Sequence, residues 1–244
     1  MCPTFPSGQG SLRQRLLQAL LPAACALCGG PCAQVLCAPC QAHYIELARK
    51  RCPQCANPQE EGLPCGRCLS HPPAFDATLV AVDYAAPLDQ LLLQLKFGGR
   101  LALAPLFAQL LRDAVLERPD FALPDLLCPV PLGPGRLAER GFNQALEIAR
   151  PLARALGIAL HPALAARVHE TEAQTRVAPR QRGRNIACAF ALAAPAAALV
   201  RGRHIGVVDD VITSGQTLGE LAATFKRYGA ARVSNLVFAR TPPR

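Results

Sequence analysis

Four Cys-x-x-Cys pairs crowd into the stretch from Cys25 to Cys68 and dictate how that stretch must fold. Cysteines two residues apart close only trivial loops, so disulfides within the pairs would staple little. Each pair instead sets two thiols on one side of a tight turn, which is half of a tetrahedral metal shell. Eight residues separate the pair Cys25/Cys28 from the pair Cys37/Cys40, and nine separate Cys52/Cys55 from Cys65/Cys68. Two turns complete a four-sulfur shell, so the eight cysteines predict two structural zinc ions. Sequential pairing is the simplest arrangement; crossed pairing uses the same ligands. An iron–sulfur cluster and a redox pair are the rival chemistries, and the coincidence of four pairs favours zinc. Four sulfurs per ion leave no open position, so His43 and His71 are not needed as ligands. Gly29, directly after Cys28, suits the sharp turn. The stretch holds little else that makes a core, so metal binding must supply its folding energy. Cys2, Cys128 and Cys188 lie outside the spacing and read as ordinary small residues.

Metal-type spacing in a chain with 12 cysteines points to a reducing compartment, and a cytoplasmic location is expected. One segment reads the other way. Arg13 and Arg15 precede LLQALLPAACAL, much as in a secretion signal. Gln18 and Pro22 interrupt its apolar run, and cleavage near Cys25 would remove the first thiol ligand. No stretch approaches the ~18 uninterrupted apolar residues of a membrane span, so no membrane insertion is expected. The formal net charge of +9 favours anionic partners, whether phosphorylated metabolites or nucleic acid. Trp is absent and aromatic residues make up 5%, which argues against a large base-stacking platform.

Residues 1–24 read as a polar lead and a short helix from about Ser11, residues 25–73 as the cysteine module, and residues 74–244 as a larger domain. Pro72-Pro73 marks the change. Beyond it, strands alternate with helices. Strands are expected at Ala77–Tyr84, Leu126–Pro131, Ala163–Val168, Ala187–Leu192, His204–Asp209 and Val233–Ala239. Helices are expected at Leu88–Leu95, Leu101–Leu116, Asn143–Leu156 and Thr217–Tyr228. The alternation predicts an α/β fold with a mostly parallel sheet flanked by helices.

The segment VVDDVITSGQT, Val207 to Thr217, carries the chemistry of that domain. An apolar strand ends in Asp209-Asp210, followed by Thr213, Ser214, Gly215, Gln216 and Thr217 at a helix start. Ligands of open α/β sheets bind beyond the carboxyl ends of the strands. A glycine-containing turn into a helix offers backbone N–H groups and positive potential to a phosphate, and the hydroxyls add donors. The spaced glycines and Gly-Lys-Ser/Thr of a Walker loop are absent. Two carboxylates beside a bare phosphate would repel it. They make sense as acceptors for ribose hydroxyls or near a magnesium ion. The bland alternative is a pair of acids that merely cap a turn. A ribose diol beside its own 5′-phosphate satisfies both halves of the motif, as in phosphoribosyl pyrophosphate (PRPP).

This segment resembles the PRPP-binding motif of type I phosphoribosyltransferases. Further segments narrow the resemblance to the ComF family, which includes ComFC and GntX: the four cysteine pairs, LKFGGR at 95–100, PVPL at 129–132, RGFNQA at 140–145, and QT followed by RGRN and AF at 174–190. The resemblance spans about residues 20–240 and implies a double zinc ribbon joined to a type I phosphoribosyltransferase-like domain. Gln216 departs from it, since many relatives have a small residue there.

By resemblance, Asp209 and Asp210 hold the ribose hydroxyls, and Val208 with Thr213–Thr217 surrounds the 5′-phosphate. Pro131 and Leu132 of the PVPL stretch meet pyrophosphate, and Arg140, Asn143, Lys96 and Arg100 line the same crevice. Residues 168–187 match a loop that closes over the site; there Arg182 and Arg184, with Arg176 and Arg180, would stabilise departing pyrophosphate beside magnesium. No residue marks the acceptor or a base. The resemblance therefore implies PRPP binding, with transfer of phosphoribose to an acceptor as one outcome. A single-stranded DNA-binding competence factor, or an adaptor with a non-catalytic PRPP pocket, is the other. ComFC relatives are linked to DNA uptake and competence-machinery proteins, and GntX relatives to gluconate use.

Overall fold

The computed structural model describes residues 23–47, 49–168 and 189–242. The expected helix near Ser11 and the arginine-rich segment 169–188 lie outside the described residues. Contacts divide the chain between Ile45 and Glu46 into two compact units. The smaller unit holds an antiparallel ribbon of β1 (Ala23–Ala24) with β2 (Pro31–Cys32) and the helix α1 (Ala38–Tyr44). Its four clustered cysteines, Cys25, Cys28, Cys37 and Cys40, sit in the turn after β1 and at the start of α1, whose N-cap is Cys37.

The second set of cysteine turns, with α2 (Gly66–Ser70), belongs to the larger unit and so shares it with the sheet. There β3 (Ala77–Asp83) leads to α3 (Leu88–Lys96) and then to α4 (Ala104–Leu116). The expected helix from Leu101 begins as a single 3₁₀ turn, because Pro105 has no N–H to continue an α ladder backwards. β4 (Leu126–Pro129) is two residues shorter than expected, since Pro129 and Pro131 cannot donate to a neighbour; Val130 N supplies the last rung, to Val208 O at 2.9 Å. No helix is expected directly after β4, yet Pro134 opens one, α5 (Pro134–Arg140). Proline's fixed φ suits that first position. Next come α6 (Gln144–Leu156), β5 (Ala159–Leu160), β6 (Ala166–Arg167), β7 (Phe190–Ala191), α7 (Ala194–Val200), β8 (His204–Ile212), α8 (Gln216–Arg227) and β9 (Arg232–Arg240).

The main sheet runs β3-β9-β8-β4-β5, and every pairing in it is parallel. The expected strands at Ala163–Val168 and Ala187–Leu192 shrink to β6 and β7, which pair antiparallel apart from that sheet. Helices cover both faces, because side chains alternate along a strand. Val237 packs in one core cluster with Leu221 and Phe225 of α8. Its neighbour Phe238 stacks on Phe107 of α4, with ring centroids 3.8 Å apart. Both phenylalanines are fully buried. Phe238→Ala is expected to lower the unfolding free energy by about 3–5 kcal/mol in a urea titration, the range for emptying such a site.

Candidate functional site

β8 lies at the centre of the sheet between β9 and β4, and its carboxyl end carries both acids. The strand does not stop at Asp209. Val211 and Ile212 stay in register with Ala239 and Arg240, so the acids are fixed in a paired strand. Asp209 is half-buried, and its Oδ1 accepts a hydrogen bond from Asp210 N at 2.9 Å. Asp210 is buried. Its Oδ2 lies 2.8 Å from Lys96 Nζ at the end of α3. The contact is electrostatic: no well-directed hydrogen bond reaches that oxygen, which leaves a buried acceptor unsatisfied. Burial, and then the adjacent Asp210 carboxylate, raise the Asp209 carboxyl well above the usual range, with Lys96 opposing them.

The loop after β8 exposes Thr213 and Ser214 and turns through Gly215, whose φ of +79° is left-handed and strained for any other residue. α8 starts immediately. No side chain caps it, and Gln216 N reaches Ser214 Oγ only at 3.4 Å. The partial positive charge of this helix start favours an anion.

What holds this loop lies behind it. Arg240, 3% exposed at the end of β9, donates from Nη1 to Ile212 O at 3.2 Å and to Thr213 O. Its Nε donates to Asn57 Oδ1 at 2.9 Å, and Nη2 reaches the same oxygen. Asn57 belongs to the third cysteine turn, since Cys52 N donates to Asn57 O at 2.7 Å. Arg67, between the last two cysteines, donates to Ser214 O at 2.8 Å. Pro53 O accepts from Thr78 N at 2.9 Å along the outer edge of β3, and Arg51 pairs with Asp83 at 2.8 Å at its end. The second cysteine site therefore covers a sheet edge that would otherwise stay open, and it braces the loop.

Both cysteine sites fit zinc. Cys25, Cys28, Cys37 and Cys40 converge, as do Cys52, Cys55, Cys65 and Cys68, with all sulfurs of each set within 4.8 Å of one another. The grouping is sequential. Cys28 and Cys37 sulfurs are 3.7 Å apart and those of Cys55 and Cys65 are 3.6 Å apart. That is far beyond a disulfide bond and close to the ~3.8 Å edge of a tetrahedron with 2.3 Å metal–sulfur arms. Cys37 N and Cys65 N each donate to a sulfur, Cys25 and Cys52 respectively, at 3.4 Å. Against the cost of burial, such backbone donors hold Cys25 down at about 6 and Cys65 at about 7. Hydrogen bonding with Cys37 first, then burial, pushes Cys40 up to about 12. Four adjacent thiolates resist joint ionisation, and a divalent cation relieves that conflict. Gly29 and Ala56, each directly after a cysteine pair, both take left-handed backbone; Ala56 is the one non-glycine that does so among the described residues.

The remaining expected site residues distribute around the strand ends. Val208 is buried in β8 with its carbonyl bonded to Val130. Pro131 and Leu132 follow β4 and are half-buried, and Thr217 is half-buried in the first turn of α8. Asn143 reaches the strand end, but with its amide engaged: Oδ1 caps α6 by accepting from Ala145 N at 2.9 Å, and Nδ2 donates to Val130 O at 3.0 Å. Arg140 donates to Gln144 Oε1 at 2.6 Å and lies over the Phe97 ring. Arg100 donates to Gln94 Oε1 at 2.8 Å. Arg176, Arg180, Arg182 and Arg184 lie outside the described residues. Sequence reasoning missed Arg240, Arg67 and Asn57. The only signal was a charged residue closing an otherwise apolar strand.

A family model described as a double zinc ribbon domain matches residues 16–69, and one described as a phosphoribosyl transferase domain matches residues 143–243. The chain is 39% identical over 228 residues to the DNA utilization protein YhgH of Salmonella typhi, covering 91% of this chain and 98% of that protein. It is 37% identical over 228 residues to the protein of the same name from Escherichia coli (strain K12), with the same coverage of 91% and 98%. It is 32% identical over 179 residues to Competence protein F of Haemophilus influenzae, covering 72% of this chain and 78% of that one. The chain belongs to the ComF family. Two tetrathiolate sites and a phosphoribosyltransferase-like sheet are thus combined in this ComF-family chain. No helix among the described residues is long and apolar enough to cross a membrane.

Elemental analysis of the purified chain is expected to find two zinc ions, falling to one in a Cys52→Ser/Cys65→Ser variant. Arg240→Ala strands Asn57 Oδ1 and two loop carbonyls. It is expected to cost on the order of 3 kcal/mol and to speed amide exchange at residues 213–217. Arg67→Ala, at an exposed side chain, is expected to cost much less.

Proposed function

We propose that this chain binds PRPP with magnesium at the carboxyl end of β8. The observation that carries the proposal is the sequence of parts at one strand end: two fixed carboxylates, a left-handed glycine, and an uncapped helix N-terminus. The acids suit a ribose diol, and the unsatisfied oxygen of Asp210 is an acceptor for one of its hydroxyls. The amides of Gly215 to Thr217 and the hydroxyls of Thr213, Ser214 and Thr217 suit the 5′-phosphate. Lys96 already faces Asp210 at 2.8 Å, so a ligand hydroxyl joins an existing charge pair rather than meeting a bare carboxylate. Pyrophosphate would lie towards Pro131 and Leu132, with Arg182 and Arg184 as its proposed cationic partners. Magnesium, when bound with PRPP, neutralises the pyrophosphate oxygens.

The reaction such a cradle serves is departure of pyrophosphate from ribose C1 as an acceptor takes its place. The transition state carries positive charge on the sugar and growing negative charge on the leaving group. The site's contribution is then charge placement and exclusion of water, not a strong base. The relatives' names, DNA utilization and competence, support a setting in DNA handling. Binding without transfer serves such a setting equally well, and release of pyrophosphate in the presence of candidate acceptors separates the two.

Calorimetric titration of PRPP with magnesium tests the binding proposal. Saturable binding is expected, with a loss of at least about tenfold in Asp209→Asn/Asp210→Asn, the cost of removing charged acceptors; unchanged affinity would sink the assignment. Affinity should also depend on pH in a definite sense. The raised Asp209 carboxyl is protonated as pH falls, and a protonated carboxyl no longer accepts two hydroxyl bonds. Binding is therefore full above its raised pKa and declines as pH drops through it, at a higher pH than an ordinary carboxylate would give. Asp209→Asn should flatten that decline.

A further inference from the structure

The amino ends of β8 and β9, at the opposite end of the sheet from the cradle, carry a face rich in arginine. We propose that this face docks an acidic, partly apolar segment of a protein partner. Two turns are laced together there through their backbones. Gly202 N donates to Gly229 O at 2.8 Å, and Ala231 N donates to Arg203 O at 3.0 Å. The lacing sets Arg201, Arg203, Arg227 and Arg232 at one end of the fold, and all are exposed. Beside them is a hollow of about 550 Å³, lined by Ala197 and Ala198 of α7, by Arg201, and by Arg227, Tyr228 and Gly229 at the end of α8. That volume falls within the ~300–1,000 Å³ of cavities that enclose a small ligand. The length of β8 puts the face roughly 25 Å from the phosphate loop, so the two sites are separate.

The charges on this face are left uncompensated. Asp76 is engaged by Lys226 at 2.8 Å and by Val233 N at 2.7 Å, and Asp125 accepts from His204 N at 2.8 Å. Arg201, Arg203, Arg227 and Arg232 form no ion pair among the described residues. Arg227 Nη2 donates to the neutral Thr224 hydroxyl at 2.8 Å. The partial negative charge at the end of α8 accounts for Lys226 and Arg227 in its last turn. It does not account for Arg203 and Arg232, which stand where β8 and β9 begin. Gly229 admits the Arg201 stem to the hollow: its φ is +88°, and a Cβ there would meet Arg201 Cγ at 3.5 Å. Like charges gathered on two laced turns repel one another, and a bound anion relieves that repulsion.

The lining decides what kind of anion fits. A guanidinium fork grips carboxylate and phosphate alike, so the arginines alone do not choose. The floor between them is apolar, made of the Ala197 and Ala198 methyls, the Gly229 backbone and the Tyr228 ring, which is 39% exposed. A chain of phosphates has nothing to bury on such a floor, and one half-covered ring is a poor platform for stacked bases. A peptide carries carboxylates and apolar side chains within a few residues of each other. One short segment thus neutralises the rim and fills the hollow. Arginine and tyrosine are also the side chains that most often anchor protein partners. The partner chemistry is therefore aspartate or glutamate flanking a leucine- or phenylalanine-like side chain.

Fluorescence anisotropy with a labelled peptide of alternating aspartate and leucine tests this face in the full chain. Saturable binding is expected, weakened at least about tenfold in Arg203→Glu/Arg232→Glu and about fivefold in Tyr228→Ala. Thermal unfolding followed by circular dichroism is expected to match the wild type in both variants, since these side chains are exposed, and shows that they fold. Polyglutamate, which has the charge without the apolar side chains, is expected to bind at least about fivefold more weakly than the mixed peptide. Equal binding of the two reduces the face to diffuse charge attraction and overturns the docking site. Oligothymidylate that binds where the peptide does not, and is lost in Arg203→Glu/Arg232→Glu, assigns the face to nucleic acid and overturns the proposal. Absence of saturable peptide binding, or wild-type affinity in the charge-reversed variant, overturns it as well.

Discussion

A buried guanidinium braces the loop after β8 from behind. Arg240 sits at the carboxyl end of β9, opposite Ile212 in the sheet register. From there it donates to the carbonyls of Ile212 and Thr213 on one side and to Asn57 on the other. A charge with 3% exposure is costly unless its donors are satisfied, and these three oxygens satisfy them. The same bonds orient the loop. With its carbonyls drawn back towards Arg240 and Arg67, the loop can present amides and hydroxyls on its opposite side.

The second cysteine site gains a role from this wiring. Small modules with few apolar residues borrow folding energy from metal, and the first four cysteines need no further explanation. The second four do more. Their turns cover the outer edge of β3 through Pro53 and carry both Asn57 and Arg67 to the loop. An ion held by these four sulfurs would stiffen the turns, and short, directional hydrogen bonds link them to the place where a phosphate is proposed to sit. Loops of this kind otherwise lie at the low-stability end of a fold.

Much of this was legible in the sequence because it is local. Cysteine spacing, the alternation of strands and helices, and the order of acids, hydroxyls and glycine after an apolar run are all short-range patterns. What escaped is set by partners distant in the chain. Asn57 and Arg240 lie 183 residues apart, and neither has a neighbour in sequence that announces the bond. β8 runs three residues beyond its expected end because β9 continues beside it, which only the register reveals. α5 was hidden because Gly-Pro-Gly signals a turn whether or not a helix follows. The eight thiol ligands, by contrast, were fully readable, because two-residue spacing alone fixes their geometry.

The central claim is that the loop Thr213–Thr217 is a seat for a sugar 5′-phosphate, shaped by Gly215 in front and Arg240 behind. Phosphorus NMR of PRPP with magnesium tests this directly, because the 5′-phosphate and the pyrophosphate resonate separately. The account predicts that wild-type protein shifts and broadens the 5′-phosphate signal, and that Gly215→Val, which cannot hold the left-handed turn without strain, abolishes that change. A 5′-phosphate signal that responds equally to both proteins, or to neither, would contradict it.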